Sequence, residues 1–154
     1  MRDVVFEWYV PHVLSKKERL AKALTVSAAA VFFIDAVLFM AAMLFPAAAL
    51  ALAGFILSRR WNYEYEYVYV NGDFTISKIL HKSRRKDVCH MDRTDFEELI
   101  PGRAAPGGAP VRDFTSGFPD KPVYTIRTRG GLICIEAEEG FISEMKKYYP
   151  ITDR

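Results

Sequence analysis

Cys89 and His90 stand side by side, with His81 upstream and Cys134 downstream, and these are the side chains that hold zinc. Neighbouring residues of an extended segment point to opposite faces, so Cys89 and His90 cannot easily share one tetrahedral ion. Two buried apolar thiols in a reducing compartment fit better, with neither a metal nor a disulfide. His90, Asp92 and Asp95 also lie close in sequence, but no nucleophile motif and no HExxH accompanies them. Asp92 and Asp95 read more simply as the turn and first-turn residues of a short helix. Gly102, Gly107 and Gly108 lack a strand-turn-helix context and no P-loop lysine follows them, so phosphate binding is rejected. The chain is expected to be no enzyme and to carry no cofactor.

Lys78, Lys82, Arg84, Arg85 and Lys86 form a basic corner and the best candidate for a lipid- or partner-binding site. Each such residue close to an anionic membrane surface contributes about 1 kcal/mol. A solvated charged edge that discourages strand-to-strand aggregation explains the same residues without a ligand. Asp35 is the other isolated charge, and it lies inside an otherwise uncharged run from Ala23 to Leu57. An ionised carboxylate in mid-membrane costs roughly 2.5–3.5 kcal/mol, and each apolar neighbour such as Phe32, Ile34 or Leu38 returns roughly 0.3–0.6 kcal/mol. A hydrogen-bonded or protonated side chain is the simple reading of Asp35. A proton or ion relay, or a contact between protomers, is the functional one.

The run itself must be positioned first. In one helix its 35 residues would reach ~52 Å, against ~30 Å of hydrocarbon. Two spans fit better, roughly Leu20 to Leu44 and Pro46 to Trp61, with the break set by Pro46. Ser15 and Glu18 match a capping box that starts the first helix. Lys16, Lys17, Arg19 and Lys22 precede the spans, and Arg59 and Arg60 follow them. A two-helix transmembrane hairpin over 16–61 keeps both basic clusters, and hence both termini, in the cytoplasm. A cleaved signal peptide is disfavoured, because the run is far longer than a signal core and 22 residues precede it. Val4 to Val10, ending at Pro11, reads as an aromatic segment lying in the headgroup region, so residues 1–15 are assigned as interfacial.

Residues 62–154 have the size of one small domain. From Trp61 onward there are 14 Lys and Arg against 15 Asp and Glu, a balance that argues against nucleic acid. Tyr63, Tyr65, Tyr67 and Tyr69 alternate with Glu64, Glu66 and Val68, as in a strand. They serve either as core or as a flat face for a peptide, and core is favoured. Asn71-Gly72 then signals a hairpin, with Phe74, Ile76 and Ile79 on the return strand and a third strand over Lys86 to Met91. Thr94 and Glu97 suggest a second capping box and a helical turn through Leu99. Residues 101–110, with three prolines, three glycines and three alanines, read as loop. Strands are expected around Val111 to Thr115, Pro122 to Thr128 and Leu132 to Ala137, and an amphipathic helix from Glu138 to Tyr149. The outcome is an α+β fold: an antiparallel, pleckstrin-homology-like bent sheet or barrel capped by one C-terminal helix.

The chain resembles a family of small bacterial membrane proteins common in anaerobic Gram-positive gut bacteria, built from a short apolar N-terminus, a two-helix hairpin and a polar domain. The resemblance rests on Tyr63-Glu64-Tyr65-Glu66-Tyr67, on Asn71 to Ile79, on the basic run Lys82 to Lys86, on Asp113 to Gly117 and on Met145 to Pro150. It spans nearly the whole chain, with departures at 101–110 and at the tail Ile151 to Arg154. It implies topology and no catalytic residues. Its likeness to pleckstrin-homology domains implies that basic residues on an early hairpin contact acidic headgroups. The expected function is a membrane-anchored, non-enzymatic module that contacts anionic lipid or, through an exposed sheet edge, a protein partner. The alternative is a homo-oligomer with an ion- or proton-linked role through Asp35.

Overall fold

The computed structural model describes residues 5–105 and 107–147. The chain divides into two compact units, Val13–Tyr63 and Met1–His12 together with Glu64–Arg154. The first unit is helical. Helix α1 (Lys16–Leu38) opens with the expected capping box: the Glu18 N–H donates to Ser15 Oγ at 3.3 Å, and the Ser15 N–H donates to Glu18 Oε2 at 2.7 Å. A short 3-10 turn (Ala41–Met43) leads into α2 (Leu44–Trp61). The break therefore falls at Phe39–Met40 and not at Phe45–Pro46. Both N–H groups there donate to the Asp35 carbonyl, at 2.9 and 3.2 Å. Pro46 lies instead in the first turn of α2, where an absent N–H leaves no helical bond unmade. The earlier break puts Asp35 in the last turn of α1, away from the mid-helix position expected of it. Gly54 sits against Thr25, where an added Cβ would come within 3.3 Å of the threonine methyl.

The second unit contains two four-stranded sheets. One has the order β1 (Val5–Pro11), β2 (Tyr63–Val70), β3 (Asp73–Leu80), β4 (Arg84–Met91). The other has the order β5 (Phe96–Pro101), β7 (Val123–Thr128), β8 (Gly131–Glu136), β6 (Val111–Asp113). Pairing in the second sheet is antiparallel except between β6 and β8, which run parallel. Helix α3 (Glu139–Lys146) buries Phe141, Ile142 and Met145, the stripe expected of it; Tyr149 lies outside the described residues. Phe141 meets the rings of Phe6, Trp8, Tyr69 and Phe74 at centroid distances of 5.0–6.1 Å, so the helix closes an aromatic core. Tyr65, Tyr67 and Tyr69 are buried, which makes the tyrosine row core.

Two segments depart from the sequence reading. Residues 5–11, expected in the headgroup layer, form strand β1 in register with β2 from Val5↔Val70 to Pro11↔Glu64. Alternation decides it: Trp8 and Val10 are buried while Glu7, Tyr9 and Pro11 are exposed. The helical turn expected after Thr94 is absent, and Phe96–Pro101 is strand β5. Asp92 takes over the local bonds, accepting the Thr94 N–H at 2.7 Å and the Thr94 hydroxyl at 2.6 Å on one oxygen. A register shift between Phe96 and Glu98 then turns both Phe96 and Leu99 inward, which imitates helical spacing.

Candidate functional site

Strands β3 and β4 are joined by a tight turn in which the Ser83 N–H donates to the Leu80 carbonyl at 3.2 Å. His81 and Lys82 occupy its two central positions with φ of 54° and 56°. Two successive left-handed residues define a type I′ turn, whose twist suits a hairpin but whose backbone favours Asn-Gly. The preceding hairpin obeys that rule with Asn71 and Gly72. His81 and Lys82 instead hold left-handed backbone at a cost of order 1–3 kcal/mol each. Strain and positive charge coincide at this turn.

The basic corner does not act as one group of five. Register pairs Lys78 with Lys86, Ile79 with Arg85 and Leu80 with Arg84. Arg84 and Lys86 therefore share one face with Lys78, and Arg85 takes the other. Arg85 is ion-paired with Glu66, whose side chain is 3% exposed. The second Glu66 oxygen lies 2.9 Å from the Tyr9 hydroxyl, which is also 2.8 Å from Glu7. The Glu7 hydrogen bond, helped by partial desolvation, raises the Tyr9 phenol above its ordinary value. Arg85 thus serves a polar lock between β1, β2 and β4. Its role was invisible in the sequence, although the alternation of Glu64 and Glu66 with tyrosines put carboxylates on the right face. Lys78 is half-buried, its ammonium 6.0 Å over the Tyr65 ring. Lys82, Arg84 and Lys86 remain as exposed cations around the strained turn.

The turn also has a definite place along the sheet. It lies at the opposite end of β3 from the Asn71-Gly72 hairpin that joins β3 to β2. Tyr63 opens β2, and α2 ends at Trp61. Pro11, the last residue of β1, is opposite Glu64 at that same end.

The other residues with chemical potential are accounted for by packing. Cys89 is buried and its neighbour His90 exposed, with His90 Nδ1 3.0 Å from the Thr75 hydroxyl. Burial raises the Cys89 thiol, and the Arg112 guanidinium at 3.3 Å partly opposes this. Cys134 is buried in the second sheet. Among the described residues, no three His, Cys, Asp or Glu side chains come together in a group able to hold a metal. Asp113 is ion-paired with Arg103, and its other oxygen accepts the Thr115 N–H at 3.0 Å and the Thr115 hydroxyl at 2.7 Å. Arg103 also donates to Thr115 Oγ1 at 2.9 Å, which anchors the start of the Pro/Gly/Ala loop.

Two sheets closed by a C-terminal helix, with basic residues on an early hairpin, define the class as a PH-like domain. The family described as Bacterial PH-like domain (DUF6106) matches residues 2–152, and the chain belongs to that family. No curated protein and no solved structure matches the chain.

Proposed function

We propose that this chain is a membrane-anchored, non-enzymatic binding module whose β3–β4 turn rests on anionic lipid. Helix α1, and α2 taken with the 3-10 turn before it, are long and apolar enough to cross a bilayer, and only 6% and 11% of their most apolar stretches are buried. A core helix of a soluble protein would be mostly covered. In this reading the two helices form a transmembrane hairpin in the cell membrane. Since β1 precedes α1 and pairs with β2 after α2, the polar segments on both sides of the hairpin belong on one side of the bilayer. Lys16, Lys17, Arg19, Lys22, Arg59 and Arg60 flank the helices at that side, which makes it the cytoplasmic side.

The exposed cations of the turn carry the lipid reading: Lys82, Arg84 and Lys86 stand on a domain that the chain joins directly to the two apolar helices. Three cations within a Debye length of an anionic surface contribute about 3 kcal/mol together. The strained His81-Lys82 backbone fits a turn retained for contact and not for stability. Asp35 lies in the last turn of α1 with no basic residue beside it in that turn, which favours the simple structural reading over an ion pathway.

The test uses the full chain with Ser83→Cys carrying an environment-sensitive fluorophore; Cys89 and Cys134 are buried and stay unlabelled. In nanodiscs containing phosphatidylglycerol the emission is expected to shift to the blue, and high salt or Arg84→Glu with Lys86→Glu abolishes the shift. Identical spectra in neutral and anionic discs would remove the lipid assignment.

A further inference from the structure

A second surface of the same domain carries the opposite charge. A cleft of about 500 Å³ runs along β1 from Trp8 to Pro11, bounded by Phe118, Lys121, Pro122 and the β8–α3 junction at Glu136–Glu139. Strand β1 is an edge strand of its sheet. Phe118 is 45% exposed and forms an apolar wall. The Glu136 carboxylate is buried and already accepts the Ser116 N–H at 2.8 Å and the Ser116 hydroxyl at 2.5 Å, so it belongs to the scaffold. Glu138 and Glu139 are exposed on the rim and outweigh the one lysine, Lys121.

We propose that this cleft takes an extended basic and apolar segment flanking the membrane span of another integral membrane protein, added as a fifth strand on β1. Three features select that occupant. An edge strand offers main-chain hydrogen bonds to an incoming chain, and alternate side chains of that chain reach the neighbouring cleft. Two rim glutamates attract lysine or arginine and repel the phosphates of anionic lipid. Pro11 lies five residues before Lys16, the first residue of α1, so the chain ties β1 by a short tether to a helix start that, in the membrane-anchored reading, stands among the cytoplasmic basic flanks of membrane proteins. This placement rests on the membrane-anchored reading above.

The experiment uses the full-length protein in neutral-lipid nanodiscs, with a fluorescein-labelled peptide alternating valine and arginine as probe and its valine–glutamate counterpart as control. Anisotropy is expected to report saturable binding of the arginine peptide only, weakened by salt. Glu138→Lys with Glu139→Lys should weaken it by about tenfold or more, and Phe118→Ala should also weaken it. All three side chains are exposed, so circular dichroism should be unchanged, and the Ser83 lipid response, read in anionic discs, should survive in these variants. Equal binding of both peptides, or an affinity indifferent to the charge reversal, overturns the proposal. Self-association through the cleft, lost on the same reversal, would assign the surface to a second copy and also overturn it. Loss of the Ser83 response with peptide binding intact would strike the lipid reading alone.

Discussion

Trp8 donates its indole N–H to the Glu136 carbonyl at 3.0 Å, joining residues 128 apart in the chain. The first of them precedes both long helices and the second lies on β8, the last strand. The aromatic core therefore closes only after the chain has passed through α1 and α2 and returned. The two long helices are inserted between two paired strands of one sheet.

Trp8→Ala should destabilise the polar unit by about 3–5 kcal/mol, through lost contacts with Tyr67, Phe74 and Phe141 and a carbonyl left without its donor. Trp8→Phe should cost less, about 1–2 kcal/mol. Urea unfolding of the detergent-solubilised protein, followed by near-ultraviolet circular dichroism, measures both. Removing residues 1–12 should leave the rest of the domain open to protease even though every downstream strand is present.

The β3–β4 turn gives a prediction of the opposite sign. His81→Asn with Lys82→Gly should stabilise the domain by about 1–2 kcal/mol, because both replacements adopt left-handed backbone readily. The same change should weaken the lipid response by no more than the loss of one cation. Gly72→Ala should destabilise, since φ is +111° and an added Cβ would come within 3.0 Å of Arg93 Nε. Denaturation midpoints of the three proteins settle the order.

Asp113 links stability to pH. Burial pushes its carboxyl up, but hydrogen bonds from Arg103 and from the Thr115 N–H and hydroxyl outweigh that and hold it below 3.8. A carboxylate depressed in the folded state adds stability that is fully present above its unfolded value and is lost as pH falls through the folded one. Asp113→Asn should therefore be less stable than the parent at neutral pH, with the gap narrowing below about pH 4. Parallel stability curves down to acid would contradict this.

Cysteine labelling supplies a direct check on burial. Cys89 and Cys134 are both buried, and the Cys89 thiol is raised mainly by desolvation. Ellman's reagent at mildly alkaline pH should find neither thiol in the folded protein and both in urea. A fast-reacting cysteine in the native state would show that one of the two sheets is packed differently.

Patterns confined to a few neighbouring residues are legible in the sequence. The Ser15–Glu18 box, the Asn71-Gly72 turn, the tyrosine alternation of β2 and the Phe141–Ile142–Met145 stripe each declare their structure within one element. Elsewhere one local pattern serves two structures. Phe6, Trp8 and Val10 suit an interfacial segment as well as an edge strand, and only Tyr65, Tyr67 and Tyr69 of the partner strand choose between them. Phe96 and Leu99 are spaced as on a helix because a bulge turns both inward. The basic corner was visible as composition, but the removal of Arg85 from it depends on Glu66, on a different strand.

The apolar stretch 23–57, the basic residues around it and the period-two run after it follow from side-chain chemistry alone, because hydrophobicity and turn preference act within a few residues. Which strands pair was decided by tertiary structure, because pairing across two intervening helices is governed by shared burial between distant segments. That pairing placed Lys82, Arg84 and Lys86 around one turn at the end of β3, and it set Glu138 and Glu139 in one cleft with β1.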